Sequence, residues 1–198
     1  MNTKARNTQT TKERIIEAAD DLFYQKGYEF TSFADIADEV NISRGNFYHH
    51  FKTKDDILGA VISHRISKTK DMLKEWEEES KDAEGRIRCF IHILIANYAK
   101  IKLYGCPVGT LTTELSKLDH ASQEDANQIF TLFRNWLSSQ FTELGLKKEA
   151  DSLAMHLLAL SQGVATMATA FPSEAYVKQE VNHMNEWLRQ QITNHSNN

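Results

Sequence analysis

The sequence predicts an all-α protein, and three observations lead to this prediction. The chain of 198 residues contains only 2 prolines and 8 glycines, where average usage would give about 10 and 14. Apolar residues recur at helical spacing almost from end to end, without a useful run of the two-residue period that is typical of strands. Hydrophobic residues form 41% of the chain and charged residues 25%, which excludes a disordered chain and a membrane bundle.

Four helices are predicted in the first part of the chain. The first carries an apolar stripe and ends at Gly27, because glycine readily adopts the conformation that terminates a helix. A short second helix begins at Ser32, which forms a capping-box pattern with Asp35. Ser43 caps a short third helix, and Thr53 caps a long, charged fourth helix that extends to about residue 79.

The rest of the chain is predicted to bring the total to about nine helices. An apolar helix runs to about residue 101 and is broken by the glycines and proline around Cys106. Another helix runs from a cap at Ser122 to Gly145, and the last two lie near residues 153–171 and 174–193. The expected domains are residues 1–54 and residues 55–198.

One predicted helix has no charge. Residues 152–173 contain no Asp, Glu, Lys or Arg, but polar side chains interrupt the stretch. We therefore expect a helix buried on all sides rather than a membrane span. In a small domain such burial requires a partner, so we predict a homodimer through the last two helices. Four small residues would allow close approach, namely Ala159, Gly163, Ala165 and Ala168.

The third helix has a polar outer face. At about 100° per residue, Phe47 and Phe51 lie on one side and face the core. The other side presents Gly45, Asn46, Tyr48 and His49, with Arg44 at its edge. Two short capped helices packed on a longer one form a helix-turn-helix, whose second helix enters the major groove of DNA. This pattern predicts a DNA-binding module in residues 1–54.

The same segment resembles the TetR family of bacterial transcriptional regulators over about residues 12–58. The resemblance lies in residues 31–37 and in the pattern Ser-x-Gly-x-x-Tyr-x-His-Phe from Ser43 to Phe51, followed by Lys52 and Lys54. It implies a cytoplasmic bacterial homodimer that binds a palindromic double-stranded DNA operator under the control of a ligand pocket. It also implies a set of DNA-binding residues, namely Thr31, Ser32, Ser43, Arg44, Gly45, Asn46, Tyr48, His49, Lys52 and Lys54, with residues 44–46 nearest the bases.

The charge of the predicted module departs from that of an ordinary DNA-binding domain. Residues 1–54 hold 8 basic and 8 acidic side chains, whereas such domains are usually basic. We therefore expect modest non-specific affinity, part of it supplied by the basic N-terminal residues Lys4, Arg6, Lys12 and Arg14.

Cys106 has two interpretations. It lies in Gly105-Cys106-Pro107 at a break between helices, and this stretch resembles a TetR branch that includes repressors of detoxification and efflux genes. Some members of that branch bind aromatic ligands, and some sense electrophiles or oxidants through a cysteine. A cysteine at a helix start is well placed to react as thiolate. The alternative is a small buried hydrophobe beside a kink. A disulfide with Cys89 is not indicated.

An apolar cavity in the second domain is a second hypothesis. The aromatic residues at helical spacing form either a plain core or the lining of a site for a planar, apolar or electrophilic inducer. The candidates for ligand contact, besides Cys106 and Phe130, are Phe90, Asn97, Tyr98, Phe133, Trp136 and His156.

Other function classes find little support in the sequence. It contains no phosphate-binding glycine loop, nucleophile elbow or metal-ligand spacing, so we predict no enzyme, no metal and no cofactor. The prediction is a DNA-binding regulator, most simply a repressor that a ligand or thiol modification releases. The alternatives are an activator and a structural or division-control protein on the same fold, which would lack a ligand cavity.

Overall fold

The computed structural model describes residues 9–196. These residues form ten α-helical segments and no strand, which confirms the all-α prediction. The segments are α1 (Thr11–Lys26), α2 (Phe33–Val40), α3 (Arg44–His50), α4 (Lys54–Glu79), α5 (Ala83–Ala96), α6 (Tyr98–Tyr104), α7 (Pro107–Lys117), α8 (Gln123–Glu143), α9 (Ala150–Ala170) and α10 (Glu174–Ser196). Only Asn97 separates α5 from α6, so the two count as one interrupted helix in a total of nine. Lys4 and Arg6 of the basic N-terminus lie outside the described residues.

The starts predicted for the first helices are confirmed. Ser32 and Thr53 form complete capping boxes with Asp35 and Asp56, and Ser43 accepts a hydrogen bond from the amide of residue 46. Hydrogen bonds from the capping serine or threonine lower the pKa of both carboxyl groups. Ser122 precedes α8 but makes no side-chain cap bond, contrary to expectation.

The long helix α4 joins two hydrophobic cores. Its first half contributes Ile57, Leu58, Val61 and Ile62 to a core formed with α1, α2 and α3, which Leu111 and Leu115 of α7 also enter. Its second half contributes Leu73 to a larger core built from α5, α8, α9 and α10. Because one helix belongs to both cores, a tilt of α4 moves the helix-turn-helix relative to the rest of the chain.

Helix α9 buries only one side within the chain, so the expectation of burial on all sides is corrected. Ala165 and Ala168 are buried in the chain's own core, because α6, α8 and α10 pack against α9. Ala159, Gly163 and Met155 lie on the exposed side. By length and composition α9 is the one helix of the described part that could cross a membrane, but its buried side belongs to the larger hydrophobic core of the chain.

Candidate nucleic-acid interface and regulatory cavity

The outer face of α3 is open to solvent. Phe47 is 1% exposed and its ring contacts the edge of Phe33, which fixes the helix against α2. Gly45, Asn46 and His49 are exposed on the other side. Tyr48 is 45% exposed, and the edge of its ring also packs on Phe33. The contact with Phe33 holds the ring of Tyr48 in place. The polar outer face of α3 remains free to meet a groove of DNA.

The turn between α2 and α3 sets the orientation of α3, and so of its outer face, relative to α2. Asn41 ends α2 in the left-handed conformation, with φ 56° and ψ 53°. Asparagine tolerates this conformation better than most residues. The backbone N–H groups of Asn41 and Ile42 return to carbonyls of the last turn of α2, and Ser43 then starts α3. The turn is therefore short, and hydrogen bonds hold its first two residues to the end of α2.

Two of the predicted DNA-binding residues bond to the turn between α1 and α2, Thr31 as a buried side chain and Lys54 as a half-buried one. Thr31 is 1% exposed, and its hydroxyl donates to the carbonyl of Gly27 over 2.7 Å. Of the two expected roles, a phosphate contact or a positioning contact, its burial rules out the first, and its hydrogen bond in the α1–α2 turn agrees with the second. The ammonium of Lys54 donates to the carbonyls of Tyr28 and Glu29 and lies 4.3 Å from the centroid of the Tyr28 ring. Lys54 thus faces the same turn.

The other predicted contacts remain on the surface. Arg44 and Ser43 are exposed at the start of α3, and Ser32 is exposed at the start of α2, where its hydroxyl bonds Asp35. The ammonium of Lys52 donates to the carbonyl of Tyr48. These side chains and the outer face of α3 make up the candidate interface in the helix-turn-helix.

A cavity of about 370 Å³ lies between the helix-turn-helix and the C-terminal helices. Its volume falls in the range of ligand sites, about 300–1,000 Å³. Helices α1, α4, α5, α8 and α9 and the turn before α7 contribute to its wall. Phe90, Phe130 and Phe133 supply an aromatic side, and the rings of Phe90 and Phe133 meet edge to face at 5.5 Å. Such a wall suits a flat or apolar molecule.

Five predicted ligand residues line this cavity, namely Phe90, Asn97, Cys106, Phe130 and Phe133. The other three lie elsewhere, which corrects the expectation for them. Trp136 donates from its indole N–H to Glu77 over 2.8 Å and packs on Trp76. His156 is exposed on α9 and stacks with Trp187 of α10. Tyr98 lies under the ammonium of Lys102, outside the lining.

A polar end of the cavity surrounds Cys106. The amide of Gln162 donates to the thiol sulfur over 3.4 Å. The Tyr24 hydroxyl donates to the carbonyl of Gly105 over 2.7 Å. Burial, followed by the nearby Cys106, raises the pKa of Tyr24 to about 12, so Tyr24 is a neutral donor at physiological pH. The thiol is partly buried, and neither cysteine is in a disulfide.

An ion pair between a buried arginine and a half-buried aspartate completes this end of the cavity. The Arg65 side chain is 9% exposed, and its Nε lies 2.6 Å from a carboxylate oxygen of Asp20 on α1. Its Nη1 donates to the carbonyl of Pro107 over 2.6 Å. Sequence reasoning did not identify Arg65, Asp20, Tyr24 or Gln162. One signal was present, because Arg65 continues the apolar stripe of α4, where an unpaired charge would be costly.

Comparison with known proteins agrees with this architecture. Residues 15–61 match the family model described as bacterial regulatory proteins, tetR family, and residues 66–183 match the C-terminal domain of LmrA/YxaF-like transcriptional regulators. An uncharacterized HTH-type transcriptional regulator in the lacX 3' region of Lactococcus lactis is 32% identical over 161 residues, which cover 79% of this chain and 82% of the relative.

Two further comparisons cover different shares of the chain. The HTH-type transcriptional repressor Rv3405c of Mycobacterium tuberculosis is 34% identical over 102 residues, or 49% of each protein. The crystal structure of a TetR transcriptional regulator from Legionella pneumophila superposes with a TM-score of 0.81 at 28% identity, over 91% of this chain and 98% of the other. The chain belongs to the TetR family of bacterial DNA-binding transcriptional regulators, with a C-terminal domain of the LmrA/YxaF-like type.

Proposed function

We propose that this regulator is a cytoplasmic repressor that leaves its operator when a small molecule occupies the cavity or modifies Cys106. The observation that carries the proposal is the position of α1 in the wall of the cavity. Asp20, Asp21 and Tyr24 of α1 line the same space as the C-terminal helices. A ligand there would contact the DNA-binding module directly, and a ligand that favours one orientation of α1 shifts the population of that orientation.

The cavity favours a regulator over a structural protein on the same fold, because a structural protein needs no space for a ligand. Its aromatic side suits an apolar or planar molecule, and the thiol at its polar end suits an electrophile. Repression is supported by the relative Rv3405c, whose name describes it as a repressor. An activator would share the same helix-turn-helix.

The operator is proposed to be a palindrome bound by two copies of residues 1–54. Arg44, Gly45 and Asn46 would lie nearest the bases, while Tyr48, His49 and Lys52 would contact phosphates. Residues 55–198 would hold the ligand and the dimer contact. That contact would form through the exposed side of α9, with Ala159 and Gly163 at its centre, and through α10.

The experiment begins with a DNA duplex that the wild-type protein selects from a random library. Binding to this duplex is then titrated with planar aromatic compounds and with N-ethylmaleimide as a thiol-directed electrophile. We expect a palindromic site and release by at least one of the two classes. A protein that selects its site but ignores every cavity-sized compound and the electrophile would contradict the ligand-responsive part of the proposal.

A further inference from the structure

The turn between α1 and α2 is held from two sides. The backbone N–H groups of Tyr28 and Glu29 both donate to the carboxylate of Glu114, each over 2.9 Å. From the opposite side, the ammonium of Lys54 donates to the carbonyls of the same two residues over 3.0 and 3.2 Å. The turn leads directly into α2, on which α3 packs. Its conformation therefore sets the position of α3.

Gly27 permits the approach of Glu114 to this turn. It ends α1 with φ 89°, a conformation that costs glycine little and other residues much more. A Cβ atom at this position would lie only 2.9 Å from Oε1 of Glu114. The carboxylate thus occupies space that only a glycine leaves free, and the contact depends on the sequence of both partners.

Glu114 belongs to a helix whose other end lies at the cavity. Helix α7 begins after Cys106, and the carbonyls on either side of this cysteine accept hydrogen bonds from Tyr24 and Arg65. From Cys106 to Glu114 is eight residues, or about 12 Å of helix. One rigid element therefore connects the wall of the cavity with the turn that positions α2.

We propose that Glu114 is a positioning residue for DNA binding. From α7 it holds the α1–α2 turn, and through it α3, in the orientation that fits the operator, so that a displacement of α7 at the cavity reaches the DNA-binding face through this carboxylate. The proposal rests on the proposed function, because operator binding is its readout. It adds the residue through which the two domains communicate.

The direction of the change in DNA affinity distinguishes a positioning role of Glu114 from an effect of its negative charge. Glu114 is an acid beside a module that must approach a polyanion, so charge alone predicts that its neutralisation strengthens DNA binding. Positioning predicts the opposite, because a turn that has lost its partner must be ordered again when DNA binds. Glutamine keeps one acceptor oxygen for the two N–H groups, whereas alanine keeps none. The loss of DNA affinity should therefore be larger in Glu114→Ala than in Glu114→Gln.

The experiment measures affinity for the selected duplex with wild type, Glu114→Gln, Glu114→Ala and a matched control, Glu124→Gln, which removes an exposed carboxylate at the start of α8. We expect Glu114→Ala to bind about tenfold more weakly, Glu114→Gln to lie between, and the control to bind at least as well as wild type. Amide hydrogen exchange should accelerate at residues 28 and 29 in both Glu114 variants, at a temperature where circular dichroism shows all proteins folded.

Each outcome decides the proposal. Wild-type affinity in Glu114→Ala, or unchanged exchange at residues 28 and 29, overturns the role of Glu114 and leaves the proposed function standing. An equal loss in Glu124→Gln shows that the loss does not depend on the contact between Glu114 and the turn, and it also overturns the proposal. If wild type selects no duplex at all, the proposed function and the role of Glu114 fall together.

Discussion

The exposed faces of α3 and α9 differ in chemistry, although neither is covered within a single chain. α3 presents hydrogen-bonding side chains such as Asn46 and His49, whereas α9 presents Met155, Ala159 and Gly163. A DNA groove offers hydrogen-bonding edges and negative charge, which suit the first face, and a second apolar helix suits the other. The chemistry of an uncovered face, rather than its exposure, therefore indicates its partner.

The largest expected effect comes from placing a charge on the α9 face. Nothing lies within 4 Å of a Cβ built at Gly163, so Gly163→Glu should leave the fold of the single chain intact. Burying one new carboxylate from each subunit should weaken association at least about a hundredfold. Analytical ultracentrifugation at micromolar concentration should then show monomers, with a parallel loss of operator binding.

Two comparisons make this result specific. Gly59→Glu introduces the same charge at a helical glycine of α4 that also has open space, and it should remain dimeric. Ala168→Glu is unsuitable for this purpose, because Ala168 lies in the chain's own core. A stable wild-type monomer, or a dimeric Gly163→Glu protein, would contradict the assignment of this face.

The next effect concerns the α3 face. Asn46→Ala should lower the preference for the selected sequence over a scrambled one by about 1–3 kcal/mol, the usual value of a base-edge contact. Tyr48→Ala should instead weaken binding to both sequences alike and reduce the salt dependence, as loss of a phosphate contact does. Fluorescence anisotropy over a range of salt concentrations measures both. If both variants bind with the same affinity as wild type, α3 is not part of the DNA interface.

A smaller effect is expected at the polar end of the cavity. Brief treatment with limiting N-ethylmaleimide should label Cys106 before Cys89 and weaken operator binding about tenfold, because the adduct displaces Gln162 and the turn before α7. Cys106→Ser should bind the operator and lose this response, whereas Cys89→Ser should retain both. If mass spectrometry shows that Cys89 is labelled faster than Cys106, Cys106 is a packing residue and not the sensor.

The smallest effect concerns pH. The pKa of Asp56 is lowered by its hydrogen bonds to the backbone and side chain of Thr53, so its contribution to stability is present above the ordinary aspartate pKa, about 3.9. It is lost as the pH falls through the lowered value. Asp56→Asn should therefore lower the urea midpoint at pH 7, and its difference from wild type should shrink as the pH falls below the ordinary aspartate pKa. A difference that stays constant over this acid range would contradict this linkage.

Local signals in the sequence were sufficient to predict many of the helix boundaries and the buried side of α3. The cap residues Ser32, Ser43 and Thr53 act on amides three residues away, and Gly27 ends its own helix, so short-range rules apply. The periodicity of α3 likewise identified the side that Phe47 buries.

The residues that sequence reasoning misplaced or missed depend on distant partners. Lys54 meets carbonyls 25 and 26 positions earlier in the chain, and Glu114 meets amides 85 and 86 positions earlier. His156 was expected at a ligand but stacks on Trp187 of the neighbouring helix. Helical periodicity gives the side of a helix on which a residue lies, but not which tertiary partner it meets there.

The most direct test of the account is a hydroxyl-radical footprint of the wild-type protein on its selected duplex. Two copies of α3, related by a twofold axis, should protect two half-sites whose centres lie about one helical turn of DNA apart, 34–36 Å, or in a related wider register. The protections should disappear with Gly163→Glu at the concentration that saturates wild type. A single protected patch, or a footprint that Gly163→Glu leaves unchanged, would contradict a dimer that reads DNA through paired α3 helices.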